Sequence, residues 1–317
     1  MRAGVRNLVL FIALILGLWG CSGTGHALEG TVKSPFTRGQ VMVVAATERN
    51  RYQNIYGEAF WEATGGDGEG SFEERLKGQI QQFFEEMTVM SLLADEKGLE
   101  LTSREEDAIR RLATEYWQSL SAQDQAYIGA SEEEVYELYA QYYRANRLMA
   151  QLTQQENLEV SDAQAKVIEV RKMTFSERTQ AEEALVLIQG GKSFASVAAS
   201  LGQDVKNTTV MERSDSPGPV EHMAFSMDTD EVSGIVEENG VYYILQCANG
   251  YDEEATQARK EKLVQEKKNA AFQKIYAPFA EKHPVVFEEG LWEAISFTDG
   301  AGSSTSDFFE RYWEMSI

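Results

Sequence analysis

Val167-Ile168-Glu169-Val170-Arg171-Lys172-Met173-Thr174-Phe175 is the stretch whose reading sets the class of the fold. Its β-branched and partly alternating residues specify a strand. Before it, apolar residues recur at helical spacing. After it, short helical and extended segments alternate, so the chain reads as α+β.

Working downstream, Glu182 to Gln189 reads as a helix closed by Gly190-Gly191, and Phe194 to Leu201 as a second. Val205 to Met211 is extended, Ser214 to Pro219 a loop, and Glu221 to Ser226 a short helix. Val232 to Glu237 and Tyr242 to Cys247 read as strands around Asn239-Gly240, a hairpin dipeptide. The order is βααβαββ. From Asp252 to Lys282 a long helix follows, with Leu263, Ile275, Tyr276 and Phe279 among its apolar positions, and His283-Pro284 stops it. Thr298 to Ser306 reads as a flexible linker, so 298–317 is a linker with a short aromatic tail.

Upstream, Thr37 to Gln40 has capping-box spacing and opens a helix expected to end near Trp61. The glycine-rich Thr64 to Gly70 is a connector, because each interior glycine costs a helix ~1 kcal/mol. Leu76, Ile80, Phe83, Met87, Met90 and Ala94 form one apolar stripe. Methionines on such a stripe suit either a core or an adaptable client surface. Gly98 ends that helix, Thr102 to Glu105 caps the next, and Ser131 caps a third. Such faces need partners, so 36–160 is expected to be a helical domain.

At the start, Arg2 and Arg6 precede an apolar run from Leu8 to Trp19 that is too short for a ~30 Å hydrocarbon core. Residues 1–20 therefore read as a signal peptide. Leu18-Trp19-Gly20-Cys21 resembles a bacterial lipobox, which implies diacylglycerol on Cys21 and a tether over 21–35. An ordinary signal peptide cut after Ala27 is the other reading.

Composition narrows the function. The chain has 317 residues and a net charge of −22, the wrong sign for neutralising nucleic-acid phosphates. With two cysteines, a disulfide framework or a four-cysteine zinc site is excluded. Three histidines, His26, His222 and His283, stand far apart. No serine-hydrolase elbow, zinc-protease helix or phosphate-binding loop is present, and no cofactor is expected. Glu132-Glu133-Glu134 and Glu253-Glu254 read as solvated helix faces, and Cys247 as a small buried hydrophobe.

Residues 165–250 resemble the parvulin-type peptidyl-prolyl isomerases. The matching stretches are Ala184 to Ala195 with Gly190-Gly191-Lys192-Ser193-Phe194-Ala195, then Ala198-Ala199, Asp204, Ala224-Phe225-Ser226-Met227, Glu231-Val232-Ser233 and Tyr242 to Gln246. Aspartate stands at 230 where the family usually has glycine, and Val241 looks like a one-residue shift. Lys97-Gly98-Leu99-Glu100-Leu101-Thr102 and the helices around it resemble the N-terminal chaperone region of SurA- and PrsA-type foldases, and the lipobox resembles the PrsA type. The resemblance implies a discontinuous helical lobe, 36–160 completed by 251–297, with the parvulin-like unit inserted. It also implies unfolded secreted proteins as partners and a lipid-anchored place on the outer face of the cell membrane. A homodimer is compatible with it.

Parvulins place two histidines on adjacent central strands under the proline pocket. The resemblance puts Lys172 and Tyr243 at those positions, Asp204 beside them, and Val220 and Phe225 in the pocket, with Ser216 at a further pocket position. Both histidines are replaced. His222 alone does not make a pair, so the unit is expected to keep the fold with weak or no isomerase activity. Two function classes follow: an exported foldase or holdase, whose helical cradle exposes Met, Phe and Tyr side chains, and a ligand-binding lipoprotein of a transport system. The second requires a doubly wound pattern of parallel strands.

Overall fold

The computed structural model describes residues 30–57, 60–61, 70–154, 156–206 and 208–316. The leader at 1–20, Cys21, His26 and most of the glycine-rich connector lie outside them. The fold is a mixture of helix and sheet, α+β as the strand at 167–175 required. The chain forms two compact units. Glu156–Ala270 is one, and the described residues before it and from Ala271 onward are the other.

The larger unit is built on helices α1 (Arg38–Tyr56), α2 (Phe72–Glu96), α3 (Ser103–Ser119), α4 (Ala122–Ile128) and α5 (Glu132–Thr153). Each starts at a hydroxyl cap, Thr37, Ser71, Thr102, Ser121 or Ser131, whose side chain accepts the N3 amide while the N3 side chain returns to the cap amide. Two orphan donors are thereby satisfied at each start. Helix α4 was not read from the sequence, although Ser121 and Asp124 carry the same spacing. Helix α1 stops at Tyr56, short of Trp61, because Gly57 turns to φ 82° and returns its N–H to the Gln53 carbonyl.

Helix α1 is buried on every side from Gly39 to Asn50, which is the environment that an all-round apolar run such as Val41 to Ala46 demands. Its polar residues therefore need internal partners. Arg51 pairs with Glu48 at 2.7 Å. Arg49 donates Nε–H to the Phe297 carbonyl, and Asn50 donates to Ser303 Oγ and the Thr305 carbonyl. Ser303, Ser304 and Thr305 in turn donate to Asp124 Oδ1.

These bonds overturn the reading of 298–306 as a flexible linker. Ser303 and Thr305 are buried, and the Ser303 hydroxyl with the backbone of Ser304 and Thr305 supplies the partners that Asn50 of α1 and Asp124 of α4 require. The aromatic tail is likewise core: Phe308, Phe309 and Tyr312 of α11 (Phe308–Glu314) join the main apolar cluster. The end of the tether reading is corrected too. Strand β1 (Val32–Lys33) pairs in parallel with a second short strand, Val285–Val286, and Phe36 meets Phe84 edge-on. Met87 and Met90 are buried, so the stripe of α2 is core.

The smaller unit holds α6 (Asp162–Ala165), β2 (Val167–Phe175), α7 (Arg178–Gln189), α8 (Phe194–Ser200), β3 (Thr209–Glu212), α9 (Pro219–Ser226), β4 (Val236–Glu238) and β5 (Val241–Asn249). From β2 onward this is the βααβαββ order read from the sequence. Helix α10 (Glu253–Ala280) follows and supplies residues up to Ala270; β6 is the Val285–Val286 strand of the larger unit. The sheet order is β3-β2-β5-β4, with every neighbouring pair antiparallel. Asn239 and Gly240 both take positive φ, 52° and 77°, the turn geometry that matches strand twist. The strand read at 232–237 begins at Val236 instead, and Val232 makes only an isolated bridge to Gln246. Asp230, where the parvulins have glycine, takes φ 69°. That conformation costs a residue with a Cβ ~1 kcal/mol or more.

Candidate functional site

The four-stranded sheet has two unlike faces because successive side chains of a strand point oppositely. Met173, Phe175 and Ile244 pack with Ala181 and Ala184 of α7 and Phe194, Val197 and Ala198 of α8, so that face is closed. On the other, Ile168, Val170, Leu245 and Cys247 pack with Ala224, Phe225 and Met227, on or just after α9. Toward the Phe175 end of β2, this second face continues into Lys172 and Thr174, both exposed.

Four of the sequence-derived site residues meet on this open face. Lys172 pairs in register with Leu245, and Thr174 with Tyr243. The Lys172 ammonium nitrogen lies 6.0 Å from the Tyr243 ring centroid, within cation–π range. Tyr243 and Val220 are half-buried against the cluster that contains Phe225. The remaining position, Asp204, lies in an exposed turn where its Oδ1 accepts the Lys206 amide. No hydrogen bond or ion pair joins it to Lys172 or Tyr243. Ser216 is in an exposed loop and His222 on the solvent side of α9.

Two contributors were not legible in the sequence. Gln203, next to Asp204, takes the Thr174 N–H on Oε1 and donates Nε2–H to the Thr174 carbonyl, both at 2.9 Å. A side-chain amide thus stands in for a neighbouring strand beyond the end of β3. The other is Arg213, whose guanidinium lies 4.3 Å from the Phe225 ring centroid while Nε–H donates to the Ala163 carbonyl. Arg259 of α10 holds the Arg213 carbonyl. Only the fold brings residues 163, 213, 225 and 259 together.

Electrostatics at the rim are local. Burial pushes the Glu221 carboxyl upward, but donors from Ser214, with Arg213 and His222 nearby, bring it below its ordinary range. Burial raises the Cys247 thiol, most strongly of its influences, so no thiolate is on offer. Among the described residues there is no cluster of metal-ligating side chains, and no helix is long and apolar enough to cross a membrane. What the face offers is an ammonium near a phenol and a guanidinium near a phenyl ring, with Val170 and Leu245 sealed beneath α9. Neither β2 nor β5 carries a histidine.

The surface of the larger unit differs from the cradle expected of it. Its exposed large apolar residues among those described are Ile55, Tyr56, Ile275, Val286 and Trp313, with no methionine or phenylalanine. Met and Phe side chains are drawn into the core because that is where this unit buries its apolar area. Ile55 and Tyr56 are 70% and 59% exposed. Tyr56 stacks between Tyr52 and Phe60, at 6.3 and 4.7 Å between centroids.

In class, the smaller unit is an antiparallel α+β module with one closed and one open sheet face. No family model matches the chain, and no curated protein does. Among solved structures, it is similar to foldase PrsA proteins. One is the peptidylprolyl isomerase PrsA from Bacillus cereus, at 14% identity and TM-score 0.35, with 80% of this chain and 99% of that one covered. Another is the foldase PrsA from Streptococcus pneumoniae, at 17% identity and TM-score 0.30, covering 74% and 98%. A third is PrsA from Bacillus anthracis, at 14% identity and TM-score 0.29, covering 62% and 94%.

Proposed function

We propose that the chain is an extracytoplasmic foldase or chaperone, lipid-anchored to the cell membrane through Cys21, that assists the folding of secreted proteins. In this reading the larger unit is a discontinuous chaperone lobe into which a parvulin-like unit is inserted. The inserted unit binds client segments and has weak or no isomerase activity. The observation that carries the reading is the face of β2 and β5. It has the βααβαββ order and packs against α9, yet Lys172 and Tyr243 stand where the resemblance calls for histidines.

An X-Pro bond isomerises over tens to hundreds of seconds behind a barrier of ~18 to 20 kcal/mol. Lowering it requires the amide to be twisted out of resonance in a fitted site. An exposed lysine and a half-buried tyrosine supply donors but no imidazole pair. Aggregation of a denatured secreted enzyme, followed by light scattering with stoichiometric protein, tests the chaperone reading. Absence of protection rejects it. The alternative, a ligand-binding lipoprotein, draws no support from the sheet, whose strands are all antiparallel.

A further inference from the structure

We propose that Glu86 is a proton-operated latch on the C-terminal part of α10: while its carboxyl is neutral, residues 271–280 stay docked in the larger unit, and when it ionises they open locally. The proposal is independent of the foldase reading, since it concerns the packing of one helix.

From Ala271 onward α10 belongs to the larger unit, where it docks through a single stripe. Ala271 and Phe272 are buried, and Tyr276 and Phe279 pack against the main apolar cluster, while Gln273, Lys274, Ile275, Ala277 and Pro278 are exposed. The stripe runs at i, i+4 and i+7, with Phe272 and Tyr276 stacked at 5.2 Å between centroids. A helix held by one narrow face lies at the low end of local stability. Pro278 weakens this part further, because it has no N–H to give the Lys274 carbonyl.

Near this stripe α2 presents carboxylates. Burial first, and then Glu86 and Glu85, push the Tyr276 phenol upward, so both acids lie within electrostatic reach of it. Glu86 Oε1 accepts Nε2–H of Gln82 at 3.1 Å, and its Oε2 is buried with no partner. The groups that face Glu86 are therefore Glu85 and Gln82 of its own helix and the Tyr276 phenol of α10. No lysine or arginine is among the charges that act on it. An ionised carboxyl there is desolvated without compensation. Burial raises its pKa, the Gln82 hydrogen bond opposes and Glu85 adds, giving about 8 against an ordinary 4.5. Opening of 271–280 returns the group to water, so the docked form holds the proton more tightly and rising pH favours the open form. What opening uncovers is apolar: Phe272, Tyr276 and Phe279.

The test is hydrogen–deuterium exchange read by mass spectrometry on the purified full-length protein, with rates corrected for the pH dependence of intrinsic exchange. Protection of 271–283 is expected to fall by up to about tenfold per pH unit between pH 4.5 and 8. Because local opening exposes little surface, that exchange should ignore low urea, whereas peptides of α5 stay better protected and respond to it. Glu86→Gln and Glu86→Met are each expected to hold the 271–283 protection level across the window. His283→Gln, which removes the histidine stacked on Phe279, should leave the pH dependence in place. A flat wild-type profile, a pH dependence that survives both Glu86 variants or is abolished by His283→Gln, or the same protection and urea response in 271–283 and α5 overturns the proposal. The last of these outcomes would mean that Glu86 acts on the unfolding of the whole unit and latches nothing. Circular dichroism melts show whether the variants remain folded.

Discussion

The phenyl ring of Phe308 lies face to face with the phenol of Tyr139, 4.1 Å between centroids and 13° from parallel, and the Tyr139 hydroxyl donates to the Phe308 carbonyl. Both residues are fully buried. The C-terminal helix is therefore held by a ring stack and a hydrogen bond from the same partner. Phe308→Ala is expected to destabilise the protein by about 3 to 5 kcal/mol through lost burial and the cavity left behind. Chemical denaturation monitored by tryptophan fluorescence checks this, and a loss under 1 kcal/mol would mean that α11 is dispensable to the core.

Asp124 is the anchor of the 303–305 segment. Burial raises its carboxyl, but donors from Ser121, Thr305, Ser304 and Ser303 outweigh burial and hold it below the ordinary aspartate range. A depressed acid contributes stability that is present above its unfolded pKa and lost as pH falls through the folded one. Asp124→Ala strands several donors at once and is expected to cost about 2 to 3 kcal/mol. Hydrogen exchange at the Ser304 and Thr305 amides should accelerate in that variant; unchanged protection would reject the anchoring role.

Glu86 behaves in the opposite sense. Its Oε2 is buried without a partner, and burial, with Glu85 adding to it and a Gln82 hydrogen bond opposing, raises its pKa to about 8. Between pH 4.5 and 8 the folded protein holds this proton and the unfolded chain does not. Stability should therefore fall as pH rises through that window, by up to ~1.4 kcal/mol per pH unit. Glu86→Gln is expected to melt higher than wild type at pH 8 and close to it at pH 5. Parallel melting curves across the range would refute the assignment.

With Lys172 and Tyr243 at the family's histidine positions, the chain is expected to leave the cis-to-trans conversion of X-Pro peptides at its uncatalysed rate. Protease-coupled assays on a peptide panel measure this. Rates typical of a parvulin, abolished by Tyr243→Ala, would show that the tyrosine and lysine replace the imidazoles functionally.

Asp230 offers a last test. Its φ of 69° suits glycine better than any branched residue. Asp230→Gly should stabilise by up to ~1 kcal/mol, and Asp230→Val should destabilise by more than that. Thermal denaturation of the pair decides it, and equal melting temperatures would mean the turn is set elsewhere.

Helix starts were legible because capping is local: Thr37, Thr102 and Ser131 sit three residues from the side chains that answer them. The strand at 167–175 and the Asn239-Gly240 turn were legible for the same reason, since β-branching and positive φ act within a few bonds. Two positions of the open face, Lys172 and Tyr243, came from the resemblance, and the antiparallel register then brought them within 6.0 Å.

Much of what the sequence pattern does not reveal is decided by distant partners. Residues 298–306 look like a linker because Gly, Ser and Thr carry no apolar pattern, yet the buried polar groups of Asn50 and Asp124 take them as hydrogen-bond partners. Arg213 looks like a loop residue until the fold lays it on Phe225. The amino-acid order alone set the elements, their caps and the polarity of each face, because those depend on neighbours along the chain. Only the tertiary structure decided which buried polar groups would be answered and which cations would lie over aromatic rings, because those choices depend on residues many positions apart in sequence.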